Sequence, residues 1–262
     1  MKICLVGPTY PYRGGISHFT QMLAREFMTS HEVQVVGFSR LYPSFLFPGR
    51  TQFDEGGELV HVEAPRVIDS INPFTYRRAA LLIADYRPQL VVFTWWQPFF
   101  GPAYRAIGHM LGKRSDGARV FLCHNVLPHE SSRVDRMLAR VGLGAGEAFL
   151  VQSEEDRGKM LTLKPGAKVA VHPHPIYSQF ASTTIDRESA RRRLGVDGRV
   201  LLFFGLIRAY KGLGTLLRAF GILLERLDAT LLVVGEFYED RKPYDDLIAT
   251  LGIRHRVRVV GR

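Results

Sequence analysis

The chain is expected to fold as an α/β protein built from two doubly wound, parallel-sheet domains, the second of them incomplete. Three observations carry that expectation. Strand-length apolar runs alternate with helical periodicity along all 262 residues, the pattern of parallel strands joined by helical crossovers. A proline-rich break at 173–185 interrupts the alternation, since Pro173 and Pro175 hold the residues before them extended. After the break the cycle restarts. This gives a first domain at 1–172, a linker at 173–185 and a partial second domain at 186–262.

Each element has its own signal. Residues 2–6 form a short apolar run of buried-strand type, and Ile16, Phe19, Leu23 and Phe27 mark one face of the helix that follows. Strands are predicted at 33–38, at 59–62 after the turn at Gly56-Gly57, and at 90–93. A helix is predicted at 76–86, stopped by Pro88. Strands at 120–123, 148–151 and 168–171 complete the first set. Beyond the linker, helices are expected at 187–194, 213–227 and 244–251, and strands at 200–204, 230–234 and 257–260. That is a βαβαβ unit about the size of half a nucleotide-binding sheet.

Composition narrows the class. Hydrophobic residues make up 46% and charged residues 23%, ordinary for a soluble globular protein. No apolar run reaches the ~18 residues of a membrane span, and the apolar start 2–6 is too short for a signal peptide. Cys4 and Cys123 each sit inside a strand-like run, which fits a reducing cytoplasm and no disulfide framework. The net charge of +10, from 35 basic and 25 acidic residues, admits nucleic acid, anionic lipid headgroups or phosphorylated small molecules as partners. Charge alone does not choose among them.

The turn at 205–212 is the most informative segment. It joins a strand to an amphipathic helix and carries Arg208 and Lys211, so two cations stand where the positive end of a helix dipole already favours an anion. The alternative is a pair of solvated cations at a helix start. The spacing mimics a P-loop, but Tyr210 replaces its second glycine and Gly212 stands where the magnesium-binding hydroxyl belongs, so an ATPase is rejected.

Phe203-Phe-Gly-Leu-Ile-Arg-Ala-Tyr-Lys-Gly-Leu213, Leu216-Leu-Arg-Ala219, Leu232-Val-Val-Gly-Glu236 and Arg256-Val-Arg-Val-Val-Gly261 together resemble the C-terminal half of the family 4 retaining glycosyltransferases of the GT-B fold. The resemblance implies two Rossmann-like domains that close on a UDP- or GDP-sugar about a hinge at His172-Pro-His-Pro-Ile-Tyr177. It also implies transfer of a hexose to a glycan or lipid-linked acceptor, with retention and without metal or cofactor. Lys211 falls on the family's diphosphate-gripping lysine. The family's arginine often follows the glycine directly, where this chain has Leu206, and Arg208 takes its place as in a subgroup with an Ile-Arg-x-Tyr-Lys-Gly turn.

The N-terminal half carries the resemblance independently. Pro8-Thr-Tyr-Pro-Tyr-Arg-Gly-Gly-Ile16 is similar to the family's glycine-rich loop, which assigns Gly14 and Gly15 to donor-diphosphate binding through their amides. Gly-x-Gly-x-x-Gly is absent, which disfavours a dinucleotide-dependent dehydrogenase. His124-Asn-Val-Leu-Pro-His-Glu130 follows a predicted strand, at the carboxyl edge where open α/β sheets bind ligands. It resembles the family's His-Asn segment and makes His124 the catalytic candidate, beside the donor sugar. His129 and Glu130 keep the ordinary reading of loop residues. A zinc site at His172 and His174 lacks further ligands at suitable spacing.

Thr94-Trp-Trp-Gln-Pro-Phe-Phe-Gly-Pro-Ala-Tyr104, with Arg105, Lys113 and Arg114 after it, suits either core packing or an acceptor or lipid contact. The basic excess allows a peripheral contact with an anionic membrane at the inner face; no nucleic-acid motif accompanies it. The family's second domain runs on for about another hundred residues, including a Glu-x7-Glu pair that binds the donor. Without them the chain is expected to be a fragment whose second domain exposes apolar surface. A noncatalytic nucleotide-sugar-binding remnant and a GT-B epimerase are the alternatives. A phosphorylase would need a pyridoxal lysine, for which no local context exists.

Overall fold

The computed structural model describes residues 1–47, 49, 51–54, 61–128, 131–177 and 185–261. The chain divides into two compact units, residues 1–46 with 51–177 and residues 47–50 with 178–262.

The first unit is a seven-stranded parallel sheet. Its strands are β1 (Lys2–Val6), β2 (Glu32–Arg40), β3 (Arg66–Asp69), β4 (Leu90–Trp95), β5 (Ala118–Cys123), β6 (Ala148–Val151) and β7 (Lys168–Val171). They lie in the order β3-β2-β1-β4-β5-β6-β7. The order reverses between β1 and β4, where Ile3 pairs with Leu90 and Val6 with Phe93. This is the topological switch point, where helices leave opposite faces and open a crevice at the carboxyl ends.

The alternation of side chains along each strand explains the two layers. Cys4, Val6, Val36, Phe93, Phe121 and Cys123 point to one face, under α2 (Pro73–Tyr86), α3 (Gly101–Leu111) and α4 (Arg133–Leu143). Ile3, Leu5, Val35, Val92 and Leu122 point to the other, under Phe19 and Ala24 of α1 (Gly15–Met28). Helix α5 (Glu154–Leu163) adds Met160 to the first layer. Both cysteines are buried and free, and burial pushes the Cys4 thiol up to about 12 and that of Cys123 well above its usual value. Neither is a nucleophile at neutral pH.

One expectation is corrected here, the position of the edge strand, and of the two readings of the aromatic stretch the core one holds. The edge strand is Arg66–Asp69, paired with Gly37–Arg40. Of the predicted 59–62, residues 61 and 62 are outside any strand, and 59 and 60 lie outside the described residues. The Trp95–Tyr104 stretch is core: Trp95, Phe100 and Tyr104 are fully buried and pack around Phe38, Phe93 and Phe121, so they offer no surface to an acceptor or a lipid.

The second unit holds the parallel strands β8 (Arg199–Phe204), β9 (Ala229–Val234) and β10 (Val257–Val260), ordered β10-β9-β8. Helices α6 (Arg187–Leu194), α7 (Leu213–Leu224) and α8 (Lys242–Thr250) accompany them. Leu217 and Phe220 of α7 and Ile248 of α8 close a core with Leu231, Val233 and Val257. The opposite face of β8 leaves Leu202 and Phe204 60% and 78% exposed.

Candidate functional site

In the first unit the candidates gather at the carboxyl edge of the sheet. His124 directly follows β5, with its amide donating to the Trp95 carbonyl (2.8 Å). The loop beyond it is fixed by the Trp95 indole, which donates to the Val126 carbonyl (3.2 Å), and by the Val126 amide, which donates to Asp156 (3.4 Å). Asp156 is itself placed by the Ser153 cap of α5. A loop pinned at three points presents its histidine in one orientation.

The imidazole of His124 is 8% exposed. Phe19 of α1 meets it edge-on at 4.6 Å between ring centroids. The Gln152 side-chain amide, just past β6, donates to Nδ1 (3.2 Å), so the neutral ring carries its proton on Nε2. That Nε2 is buried and has no partner among the described residues, an unmet donor that costs free energy unless a ligand accepts from it. Burial, with the nearby His174 ring adding to it, lowers the His124 pKa from 6.5 to about 4. The ring is neutral at physiological pH and acts as a hydrogen-bond donor, not as a cation.

Gly14 and Gly15 open α1. Gly14 sits at φ 112 as a cap without a side chain, and the first turn holds no carboxylate, so the leading amides of α1 have no side-chain acceptor. The start of the linker returns to this end. The Tyr177 hydroxyl lies 3.1 Å from His174 Nε2 and 3.5 Å from the Gly15 carbonyl oxygen, while His174 packs 5.4 Å from Phe19 and 6.0 Å from His124. His124 and the Gly14-Gly15 turn are therefore brought to one end of the first unit. Residues 178–184 of the linker, with His129 and Glu130, lie outside the described residues.

In the second unit Arg208 and Lys211 occupy the turn between β8 and α7. Residues Ala209–Lys211 form one 3-10 turn, Gly212 reverses the chain at φ 79, and α7 starts with no side-chain cap and no acidic residue in its first turn. Arg208 lies over the Tyr238 ring (5.0 Å) and the Lys211 ammonium over Tyr210 (5.4 Å). Neither forms an ion pair among the described residues. The turn is held by Glu239, which accepts from the Ala209 amide (2.9 Å) and from the Tyr244 hydroxyl.

Gly205 and Gly235 follow β8 and β9 at positive φ, and a Cβ on Gly235 would collide with the Gly205 carbonyl oxygen. Only glycine lets the two strand ends approach so closely.

Sequence reasoning missed Gln152, Phe19 as the packing partner of His124, Tyr177, Tyr238 and Glu239. Gln152 lies 28 residues from His124 and Glu239 30 residues from Ala209, so neither neighbours in sequence the residue it holds. The lone available signal was position, since Gln152 and His124 both immediately follow a strand.

No family model matches the chain. A segment of 74 residues is 39% identical to an uncharacterized glycosyltransferase of Methanocaldococcus jannaschii, covering 27% of this chain and 18% of that protein. Among solved structures, the whole chain superposes on 69% of HepE of Anabaena in complex with UDP and glucose, with a TM-score of 0.69 at 16% identity. It also covers 68% of a glycosyltransferase from Rickettsia africae (TM-score 0.65, 19% identity). A UDP-GlcNAc 2-epimerase from Methanocaldococcus jannaschii is covered over 73% of its length (TM-score 0.65, 10% identity). These likenesses establish an α/β fold of the GT-B kind, with a seven-stranded parallel sheet and a second parallel sheet.

Proposed function

We propose that this chain carries the nucleotide-sugar machinery of a retaining GT-B glycosyltransferase that moves a hexose from a UDP- or GDP-sugar to a glycan or lipid-linked acceptor. One observation carries the reading. Among the described residues Arg208 and Lys211 form no ion pair, and they stand at the uncapped start of α7 in the turn that follows a parallel strand. Two cations and a helix N-terminus favour a doubly charged anion over any neutral ligand. The relative named as a glycosyltransferase and the fold neighbours crystallised with UDP support it.

In this reading Lys211 and Arg208 stabilise the charge that develops on the departing diphosphate, the electrostatic effect that most often dominates such transfers. The Gly14 and Gly15 amides donate to the donor's anionic part. His124, neutral and protonated at Nε2, donates to a hydroxyl of the sugar, which fills the unmet bond described above. No metal is required of these residues, because the charge is met by side chains and amides.

A second reading is a sugar-nucleotide epimerase, favoured by the fold neighbour of that activity. A third is a binding remnant without turnover. Incubation with radiolabelled UDP-glucose and GDP-mannose, with and without a glycan or lipid acceptor mixture, separates them. Acceptor-dependent release of nucleoside diphosphate with product of retained anomeric configuration is expected. Donor consumption that ignores acceptor would establish the epimerase. Binding without consumption would establish the remnant.

A further inference from the structure

Helix α4 has two apolar faces, and only one of them is used by the core. Ala139, Gly142 and Leu143 are buried against the sheet layer. On the far side Val134, Met137 and Val141 are 59%, 57% and 41% exposed. Their spacing of three and four residues places them in one stripe along the outer surface. Arg133, Arg136 and Arg140 repeat the same spacing one position earlier, so a guanidinium row runs beside the apolar row on one flank. Among the described residues none of the three arginines forms an ion pair. On the neighbouring helix α5, Glu155 is engaged by Lys159 at 2.7 Å. The Ser132–Asp135 capping box locks the start of the helix, so the stripe is rigid before anything binds.

We infer that the outer face of α4 docks the first unit on an anionic lipid surface, with Val134, Met137 and Val141 entering the headgroup boundary and the arginine row meeting lipid phosphates. Charge selects this occupant. A basic helix with an apolar stripe and an unpaired cationic flank is the interfacial type. A second copy packed antiparallel is disfavoured, because that two-fold axis would set arginine row against arginine row. This assignment stands on the helix itself. Taken with the proposed function, it points to a lipid-linked acceptor presented at the membrane.

The test is flotation of the full chain with vesicles of phosphatidylglycerol and phosphatidylcholine, against phosphatidylcholine alone, at low and moderate salt. Binding to the anionic vesicles is expected, weakening at least tenfold with salt. It should be lost in both Arg136→Glu/Arg140→Glu and Val134→Ser/Met137→Ser/Val141→Ser. These positions are solvent-facing, so the variants should keep the parent's circular dichroism and UDP affinity; the UDP titration reports the donor site separately. Absence of anionic-vesicle binding overturns the inference, as does binding that neither variant weakens. A dimer in sedimentation that the serine variant dissolves would overturn it in favour of a second copy.

Discussion

The Gln152 amide nitrogen lies 3.2 Å from His124 Nδ1 and fixes which ring nitrogen holds the proton. With Nδ1 accepting, Nε2 is left as a buried donor without a partner among the described residues, and Phe19 packs edge-on against the ring. Gln152 follows β6 as His124 follows β5, and the pairing of Cys123 with Val151 sets their spacing.

That relationship gives the first prediction. Replacing Gln152 by Ala removes the tautomer lock without touching the diphosphate turn. Affinity for UDP should stay within about twofold, while affinity for the UDP-sugar should fall by about tenfold, the cost of one lost positioned hydrogen bond. Parallel calorimetric titrations of UDP and UDP-glucose read the difference. Equal weakening of both would remove Gln152 from the sugar end.

The same ring gives a pH dependence. Its folded pKa of about 4 lies below the ordinary 6.5, so between these values the unfolded chain binds the extra proton and the folded chain does not. Stability contributed at neutral pH is therefore lost as pH falls from about 6.5 towards 4, by an amount of order 3 kcal/mol. His174 is the other titratable ring facing it. Urea unfolding of the parent and His124→Gln at pH 7.5 and 4.5 should show a shallower pH slope in the variant. Parallel slopes would mean that the ring is not buried as described.

Gly235→Ala probes the closeness of the strand ends beneath the Arg208–Lys211 turn. The added methyl would strike the Gly205 carbonyl oxygen at a backbone angle that L-residues avoid. Destabilisation of at least ~3 kcal/mol is expected in denaturant unfolding of the second unit. A variant as stable as the parent would show that the two strands part easily.

Much of this was legible in the residues. β1, β6, β7 and β10 fall where the apolar runs put them, because each is a short run bounded by charges or turn residues, and α6 falls at its expected bounds. Helix α3 escaped notice for a tertiary reason. Gly101 and Gly108 depress helix propensity, yet a Cβ at Gly101 would collide with the Leu138 carbonyl and one at Gly108 would lie 2.6 Å from the Ala145 Cβ. The glycines are there for the approach of α4 and the chain after it. The wrong edge strand arose at Gly56-Gly57, read as a turn into a strand, when the sheet takes Arg66–Asp69. Lys211, Arg208, Gly14, Gly15 and His124 were singled out by the family resemblance, each in a turn or loop that follows a strand. Their holders Gln152, Tyr238 and Glu239 were not, since contacts across strands leave no mark on a single sequence.

The central claim is that Lys211 and its neighbour Arg208 receive a diphosphate. Titration of UDP and GDP into the intact chain, Lys211→Ala and Arg208→Ala tests it most directly. The account predicts micromolar-range binding of one nucleotide by the parent, a loss of at least tenfold with Lys211→Ala, and a similar or smaller loss with Arg208→Ala, whose guanidinium also lies over Tyr238. Unchanged affinity in a folded Lys211→Ala variant would contradict it.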